Sequence, residues 1–323
     1  MIANSGEYRK KNGQRGYVMM NNFIFENKTK VYFGKGGVKE YLGGLLANFG
    51  ETVMLAYGGG SIKRNGVYDE IMGILNAAGK RIVEFSGIMS NPTYAKVQDG
   101  AKLARENHVD LILAVGGGSV SDCCKVISGA FDTLSHAMET YFGKPDENNL
   151  SDDINEAVMR SVIRNIRILL TDPENYDARS ELAQASAMAE NGVLKIGKVT
   201  DFQAHQIQHQ LGAYTDCNHG AGLAVIHPVL YRHIYKSGAA RFTRWAQNVW
   251  GIAPKGSDEE TAAAGIDALA AFIKEIGLLT TFTELGIPAD TDFHAVADST
   301  NITAGCCKKL TRDEICEILQ EYL

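Results

Sequence analysis

The second half of the chain carries acidic and imidazole side chains at spacings that suit a metal ion. Asp132 and His136 stand four residues apart, so a helix would place both on one face, one turn apart. His205 and His209 repeat this spacing, and His219 follows a predicted turn and begins the next predicted helix. One carboxylate and several imidazoles can hold a divalent transition metal and leave one coordination position open. Such a metal would act as a Lewis acid on an alcohol or carbonyl oxygen.

A structural role for these side chains stays open at this point. An Asp and a His four residues apart on a helix are more often a capping, surface or buried polar pair than metal ligands, and a single HxxxH pair also occurs by chance. Four of the eight histidines fall in this one set, which makes a metal site as well supported as a structural role. The other four are predicted to be surface or packing residues without a role: His108, His227, His233 and His294.

Two glycine-rich turns in the first half of the chain predict a nucleotide site. Each follows an apolar, strand-like run and precedes a helix-like stretch, at Tyr57–Ser61 and at Gly116–Ser119. Glycine allows a positive φ and lets a phosphate approach the backbone, and the helix N-terminus behind it offers free N–H groups. Neither turn is GxGxxG or a P-loop, so a tight turn capped by Ser119 and Asp122 is the alternative. The residues predicted to bind the cofactor are Gly58, Gly59, Gly60, Ser61, Gly116, Gly117, Gly118, Ser119 and Asp122.

The first of these turns also bears on the choice of cofactor. A dinucleotide fold that selects NAD usually places an acidic residue near the ribose 2′-hydroxyl. Here the turn is followed instead by Lys63 and Arg64, which would tolerate or attract a 2′-phosphate. We therefore expect NADP(H), with NAD(H) as the alternative, unless these two cations are simply solvated helix residues.

Two patterns of hydrophobic residues divide the chain. In the first part, short apolar runs alternate with amphipathic stretches, which predicts a parallel sheet covered by helices. The runs cover 29–33, 53–56, 81–85 and 111–115. From about Gly129 onward the spacing is helical, so the fold class is α/β followed by all-α. The predicted domains are a disordered extension at 1–18, an α/β dinucleotide-binding domain at 19–128 and a helical metal-binding domain at 129–323.

The composition is that of an ordinary globular protein. Of the 323 residues, 45% are hydrophobic and 22% are charged, which excludes disordered and collagen-like chains. The net charge of −6 argues against a nucleic-acid partner. No run approaches the roughly eighteen apolar residues of a membrane span, and the first residues lack the apolar part of a secretion signal. Six cysteines without a CxxC pair fit neither a zinc ribbon nor a disulfide framework, so we expect reduced thiols and a cytoplasmic location.

Five segments in succession resemble a known protein family. They read FIFENKTKVYFG at 23–34, YGGGSIK at 57–63, GGGSVSDCCK at 116–125, FDTLSHAMETY at 131–141 and DFQAHQIQHQLGAYTDCNH at 201–219. The family is that of the iron-containing (group III) alcohol dehydrogenases, and the likeness is greatest to its NADP(H)-dependent butanol dehydrogenase and broad-range aldehyde reductase branch. The resemblance implies a dehydroquinate-synthase-like fold, in which a Rossmann-like sheet domain precedes a helical metal-binding domain.

The resemblance also implies roles for particular residues. By position, the implied metal ligands are Asp132, His136, His205 and His219. His209 would be a nearby catalytic histidine that faces the substrate, and the turn at 116–119 would bind the pyrophosphate. The implied reaction is reversible hydride transfer between NADP(H) and a primary alcohol or aldehyde, a small-molecule substrate. Fe(II) is the expected metal with Zn(II) as the alternative, and a homodimer is a candidate assembly.

One segment of the family pattern is missing from this chain. In the family, several tens of residues separate the helix after the second glycine turn from the DxxxH helix, and they complete the sheet and one wall of the cofactor cleft. Here Ser128 leads directly into Gly129, so these residues form a hinge or the two helices fuse. The alternative function is therefore a catalytically impaired paralogue that keeps the metal site but has lost cofactor binding. Glycerol-dehydrogenase-like or dehydroquinate-synthase-like chemistry is a further alternative, which the segment at 201–213 disfavours.

Overall fold

The computed structural model describes residues 24, 30, 32, 34–88, 94–115, 123–145, 148–302, 305 and 307–322. Within this part, the chain divides into two compact units, Lys28–Val126 and Ile127–Leu323. The predicted extension at 1–18 and the predicted second glycine turn at 116–119 lie outside the described residues. None of the described helices is long and apolar enough to cross a membrane.

The first unit is built on a parallel sheet. Its described strands are β1 (Thr52–Tyr57), β2 (Arg81–Phe85) and β3 (Leu111–Val115), in the spatial order β2-β1-β3. All six residues of β1 are buried, as expected of a central strand with apolar residues on both faces. Parallel neighbours need helical crossovers, which α3 (Val67–Ala77) and α4 (Tyr94–Glu106) supply. Three of the four predicted strands are therefore present, and most of the fourth, at 29–33, lies outside the described residues.

The core of this unit lies between one face of the sheet and the helices packed on it. Helix α1 covers Gly37–Leu46, and the short α2 covers Ser61–Arg64 directly after the first glycine turn. On this face, Leu55 and Tyr57 of β1 pack with Leu75 of α3. The same packing fixes the end of β1, from which the glycine turn leaves the sheet.

Within the described part of the chain, β3 is an edge strand of the sheet. Among the described residues β3 pairs with β1 alone, with Ile112 opposite Met54. Met54 is buried, whereas 59% of Ile112 is exposed. An apolar side chain on an edge strand of this kind invites pairing with another chain.

The second unit is built from helices. They are α5 (Cys123–Tyr141), α6 (Leu150–Thr171), α7 (Tyr176–Glu190), α8 (Gln203–Thr215), α9 (His219–Ile234), α10 (Ala239–Trp250), α11 (Asp258–Glu275), α12 (Phe293–Ser299) and α13 (Arg312–Gln320). Short 3-10 helices at Val193–Lys195 and Tyr235–Gly238 accompany them. The change from alternating to helical spacing near Gly129 thus corresponds to a change in architecture.

Helix α5 is continuous at Ser128–Gly129, where the sequence allowed either a hinge or a fused helix. It runs without a break from Cys123 to Tyr141 and therefore passes through Ser128 and Gly129. The two predicted helices are fused. A glycine inside a helix costs about 1 kcal/mol relative to alanine, so Gly129 is a weak point of the fused helix.

An aromatic cluster holds the end of α5 against two other helices. Phe142 directly follows α5, Tyr231 lies on α9, and Phe242 and Trp245 lie on α10; all four are at most 2% exposed. Phe142 stacks on Phe242 with ring centroids 4.1 Å apart and meets Tyr231 edge-on at 5.0 Å. Each such ring stabilises the fold by about 1.5–3 kcal/mol on burial.

A buried ionic group holds the same end of α5 near the start of α8. The Asp152 carboxylate contacts the Lys198 ammonium and lies 2.6 Å from the Arg241 guanidinium. Lys198 and Arg241 also donate to the carbonyl of Tyr141, at 3.0 and 2.7 Å, which satisfies an acceptor left open at the helix end. Just after α5, Lys144 forms an antiparallel β-bridge with Val199, in the segment that leads into α8. These contacts fix α5 relative to α8.

Candidate metal centre

Three helices bring one carboxylate and three imidazoles together. Helix α5 carries Asp132 and His136, α8 carries His205, and α9 begins at His219. The Nε2 atoms of His205, His219 and His136 lie 3.3, 3.4 and 3.7 Å from the Oδ1 atom of Asp132. One possible ligand atom each from Asp132, His205 and His219 lies within 4.8 Å of the other two. The packing of three helices therefore converges on the carboxylate of Asp132.

Two of these histidines are held from the far side of the ring. Nδ1 of His205 contacts Oε2 of Glu139, and Nδ1 of His219 contacts Oε1 of Gln208. Glu139 and Gln208 are both buried. Outer hydrogen bonds of this kind fix the tautomer of a ligating histidine and its ring orientation. Both rings therefore present Nε2 towards Asp132.

The position of His219 depends on a helix cap and on close packing. The side chain of Asn218 accepts a hydrogen bond from the N–H of Ala221 at 3.0 Å, so α9 begins at His219. A Cβ atom at position 222 would lie 3.1 Å from Cγ of Gln208. Gly222 therefore leaves the room in which Gln208 reaches His219.

Two buried atoms at the centre of the group lack hydrogen bonds. They are Oδ1 of Asp132 and Nε2 of His205, which face each other. Buried polar atoms in proteins are almost always satisfied. A divalent cation between these atoms would satisfy both, and imidazole and carboxylate are ligands suited to iron and zinc. The residues present therefore fit a metal ion.

His136 has a second partner that competes for the same nitrogen. Its Nε2 atom lies 2.9 Å from Oε1 of Glu190, the last residue of α7, and 3.7 Å from Asp132. Glu190 therefore contacts the nitrogen that His136 would offer to a metal. No spacing in the sequence points to Glu190, because it lies at the end of another helix.

The charges of the group shift the pKa values of its members. Burial would raise the pKa of Asp132, but the imidazoles of His205 and His219 outweigh burial and hold that pKa well below its ordinary value. Burial would lower the pKa of His205, but Glu139 and Asp132 overcome it and raise the pKa to about 9. Asp132 is therefore a carboxylate at neutral pH, as a metal ligand must be.

His209 lies beside the three mutually close ligand atoms and is exposed. Its ring stacks on that of His219, with centroids 5.2 Å apart, and lies 6.0 Å from the ring of His205. Partial burial of the ring lowers the pKa of His209, and the adjacent His219 and His205 lower it further. A neutral imidazole in this position can accept a proton.

Phe202 covers one side of the group. Its ring centroid lies 5.3 Å from that of His136 and 5.0 Å from that of His205. Its φ of 54° is left-handed, which is unusual for an aromatic residue and costs about 1–3 kcal/mol. Lys195 lies over the ring, with Nζ 4.7 Å from the centroid. Phe202 thus places an apolar ring against both histidines.

The first glycine turn lies at the carboxyl end of β1. The carbonyl of Gly58 accepts a hydrogen bond from the N–H of Gly87 at 3.0 Å. A Cβ at Gly59 would meet nothing within 4 Å, and one at Gly60 would lie 3.3 Å from Nη1 of Arg64. The turn is thus open at one position and carries a guanidinium at the next. Of the other predicted cofactor residues, Ser61 begins α2, and Gly116, Gly117, Gly118, Ser119 and Asp122 lie outside the described residues.

Lys63 is exposed and lies beside two tyrosine rings. Its Nζ atom lies 4.5 Å from the ring centroid of Tyr68 and 5.4 Å from that of Tyr57. The hydroxyls of these tyrosines donate to Glu84 at 2.7 and 2.6 Å. Glu84 therefore compensates part of the positive charge beside the turn. This carboxylate comes from β2, so the sequence near the turn does not reveal it.

Comparison with known proteins places the chain among dehydrogenases. The family model described as iron-containing alcohol dehydrogenase matches residues 28–157. The model described as the C-terminal part of the Fe-containing alcohol dehydrogenase family matches residues 126–323. Together the two matches include every residue of the metal group.

Two curated relatives differ in the cofactor that their names carry. The chain is 30% identical to the probable NADH-dependent butanol dehydrogenase 1 of Bacillus subtilis, over 94% of this chain and 100% of that protein. It is 26% identical to the NADPH-dependent aldehyde reductase YqhD of Escherichia coli, over 83% of this chain and 90% of that protein. The first alignment spans 389 positions, more than the 323 residues of this chain, so it includes positions that this chain lacks.

A solved structure shares the fold. The NADH-dependent butanol dehydrogenase A of Thermotoga maritima matches with a TM-score of 0.87 and 26% identity, over 95% of this chain and 100% of that one. With the parallel sheet and the helical unit described above, this likeness confirms the predicted dehydroquinate-synthase-like fold class.

Proposed function

The chain belongs to the iron-containing alcohol dehydrogenase family, and from this premise we propose that it transfers a hydride reversibly between NADP(H) and a primary alcohol or its aldehyde. Membership makes the chain an alcohol and aldehyde oxidoreductase with a nicotinamide cofactor and a small-molecule substrate. The proposal of metal-dependent hydride transfer rests on one observation: three imidazole Nε2 atoms lie within 3.7 Å of Oδ1 of Asp132.

The proposed metal ligands come from all three helices of the group. They are Asp132, His136, His205 and His219. When bound, the metal supplies Lewis-acid polarisation of the substrate oxygen and the nicotinamide exchanges the hydride. We propose Fe(II), with Zn(II) as the alternative because the same donors suit both ions.

His209 is the proposed catalytic residue for proton transfer. It lies one helical turn beyond His205 and is exposed, so a substrate can reach it. Its lowered pKa keeps the ring neutral at neutral pH, ready to take the proton of an alcohol. In the reduction direction the same ring, once protonated, would return a proton to the substrate oxygen.

Cofactor binding is assigned to the two glycine turns. The proposed contacts are Gly58, Gly59, Gly60, Ser61, Gly116, Gly117, Gly118, Ser119 and Asp122. The guanidinium of Arg64 beside Gly60 supports NADP(H), because it can pair with a 2′-phosphate. NAD(H) is the alternative, supported by the name of the Bacillus subtilis relative, an NADH-dependent butanol dehydrogenase.

The organisation of the protein is part of the same proposal. Residues 19–128 would bind the dinucleotide and residues 129–323 the metal. A cytoplasmic homodimer is the proposed state, and size-exclusion chromatography with light scattering tests the assembly.

One assay tests the proposed reaction. Purified protein loaded with Fe(II) or Zn(II) should oxidise NADPH when butanal is added, measured by the loss of absorbance of NADPH. Substrate-free and metal-free samples are the controls. Protein that binds one metal ion per chain but neither binds NADPH nor turns over would instead support the impaired paralogue.

A further inference from the structure

The buried carboxylate behind the metal group contacts both His205 and the helix that carries it. Glu139 lies on α5 and is 0% exposed. It is seven residues after Asp132, on the same helical face. We infer that Glu139 is a positioning residue that holds His205 in the tautomer and orientation needed to bind the metal; this rests on the proposed function.

The first contact of Glu139 is with the imidazole of His205. Oε2 contacts Nδ1 of His205, a residue 66 positions away in the chain. A carboxylate accepts hydrogen bonds, so Nδ1 carries a proton and Nε2 is left as the nitrogen that a metal would bind. That Nε2 atom is buried, lacks a hydrogen bond and lies 3.3 Å from Oδ1 of Asp132.

The second contact of Glu139 is with the start of α8. Oε1 accepts a hydrogen bond from the N–H of Ala204 at 2.6 Å. Phe202, the residue before α8, makes no capping hydrogen bond with its side chain. Glu139 therefore supplies from α5 the acceptor that the first turn of α8 needs, and it fixes the backbone of the helix that carries His205.

Only a carboxylate can serve both contacts. It has two acceptor oxygens, whereas the amide of glutamine has one acceptor and one donor. In Glu139→Gln, the amide oxygen that accepts from the N–H of Ala204 leaves the amide NH2 facing Nδ1 of His205. The proton must then move to Nε2, which blocks the metal-binding atom.

Zinc affinity tests this inference apart from activity. The metal-free protein is titrated with Zn(II) against a chromophoric chelator, for the wild type, Glu139→Gln and the control Glu156→Gln. Glu156 is a buried carboxylate of the same unit that binds Arg244 and Tyr141, away from the metal group. We expect Glu139→Gln to weaken zinc binding by about 10- to 100-fold and Glu156→Gln to leave it unchanged.

The outcomes separate the inference from the function. Equal zinc affinity of Glu139→Gln and the wild type overturns the inference, whereas a wild type that binds no metal overturns the proposed function. If Glu139→Gln does not fold, long-range 1H–15N spectra of zinc-loaded wild type decide the matter. A proton on Nδ1 of His205 with zinc on Nε2 is expected, and zinc on Nδ1 overturns the inference.

Discussion

The helical unit and the sheet unit hold their candidate sites in different ways. In the helical unit, side chains from three helices meet around Asp132, and buried partners such as Glu139 and Gln208 hold the rings. In the sheet unit, the candidate site is the backbone of the turn at Gly58–Gly60, which directly follows β1. The guanidinium of Arg64 lies beside it. A site made of buried side chains depends on packing within its unit, whereas a glycine turn depends on open backbone. The two sites should therefore respond to different changes.

The largest expected effect is a loss of stability of the helical unit. Phe142→Ala should destabilise the helical unit by about 3–5 kcal/mol, because it removes a ring from the aromatic cluster. Both tryptophans of the chain, Trp245 and Trp250, lie on α10, so tryptophan fluorescence reports on this unit. The fluorescence transition of Phe142→Ala should therefore occur at a lower urea concentration than that of the wild type.

The matched change in the sheet unit is Leu55→Ala. It should cost about 2–5 kcal/mol in that unit and shift the far-ultraviolet circular dichroism without moving the tryptophan transition. Equal shifts of the tryptophan transition in both variants would show that the units unfold together.

The next effect concerns the metal alone. His136→Ala should weaken metal binding by more than about 100-fold, beyond the loss expected for an outer partner, because it removes a ligand. Metal content by mass spectrometry after dialysis checks this result. NADPH affinity, measured by fluorescence titration, should stay unchanged. Full metal retention by this variant would show that His136 is not a ligand.

A smaller effect is expected at the glycine turn. Arg64→Gln should weaken NADPH binding about tenfold, since a charge-assisted hydrogen bond to the 2′-phosphate is lost. NADH binding and zinc affinity should not change. Lys102→Gln, an exposed cation on α4, is the control. The same loss for NADPH and NADH would assign Arg64 a structural role rather than a role in cofactor choice.

The smallest effect is a pH dependence confined to the sheet unit. Hydrogen bonds from Tyr57 and Tyr68 hold the pKa of Glu84 below its ordinary value against the effect of burial. The resulting stability is present above about pH 4.5 and is lost as the pH falls through the lowered pKa. Glu84→Gln should therefore reduce the stability that the sheet unit loses between pH 6 and pH 3. The reduction is at most about 1 kcal/mol for this exposed group. Circular dichroism melts at pH 3 and pH 6 measure the difference, and an unchanged acid sensitivity would contradict it.

The sequence foretold those parts of the site that depend on local spacing. The helical spacing of Asp132 with His136, and a helix that begins at His219, follow from short segments of sequence, and the structure has both features. Three of the four predicted strands appear because short apolar runs between amphipathic stretches favour buried parallel strands.

Contacts between distant segments could not be foretold in this way. Glu139 and Glu190 carry no local signal of their partners, since they meet His205 and His136 only after the helices pack. In hindsight, Glu139 continues the helical face of Asp132, which is a signal that could have been used. Likewise, both a hinge and a fused helix fit the sequence at Ser128.

A zinc-loaded crystal measured at the zinc absorption edge tests whether the four side chains bind one metal ion. We predict a single anomalous peak from a zinc ion bound by Asp132 and by the Nε2 atoms of His136, His205 and His219. A peak bound elsewhere, or no peak in crystals of protein that retains zinc in solution, would contradict it.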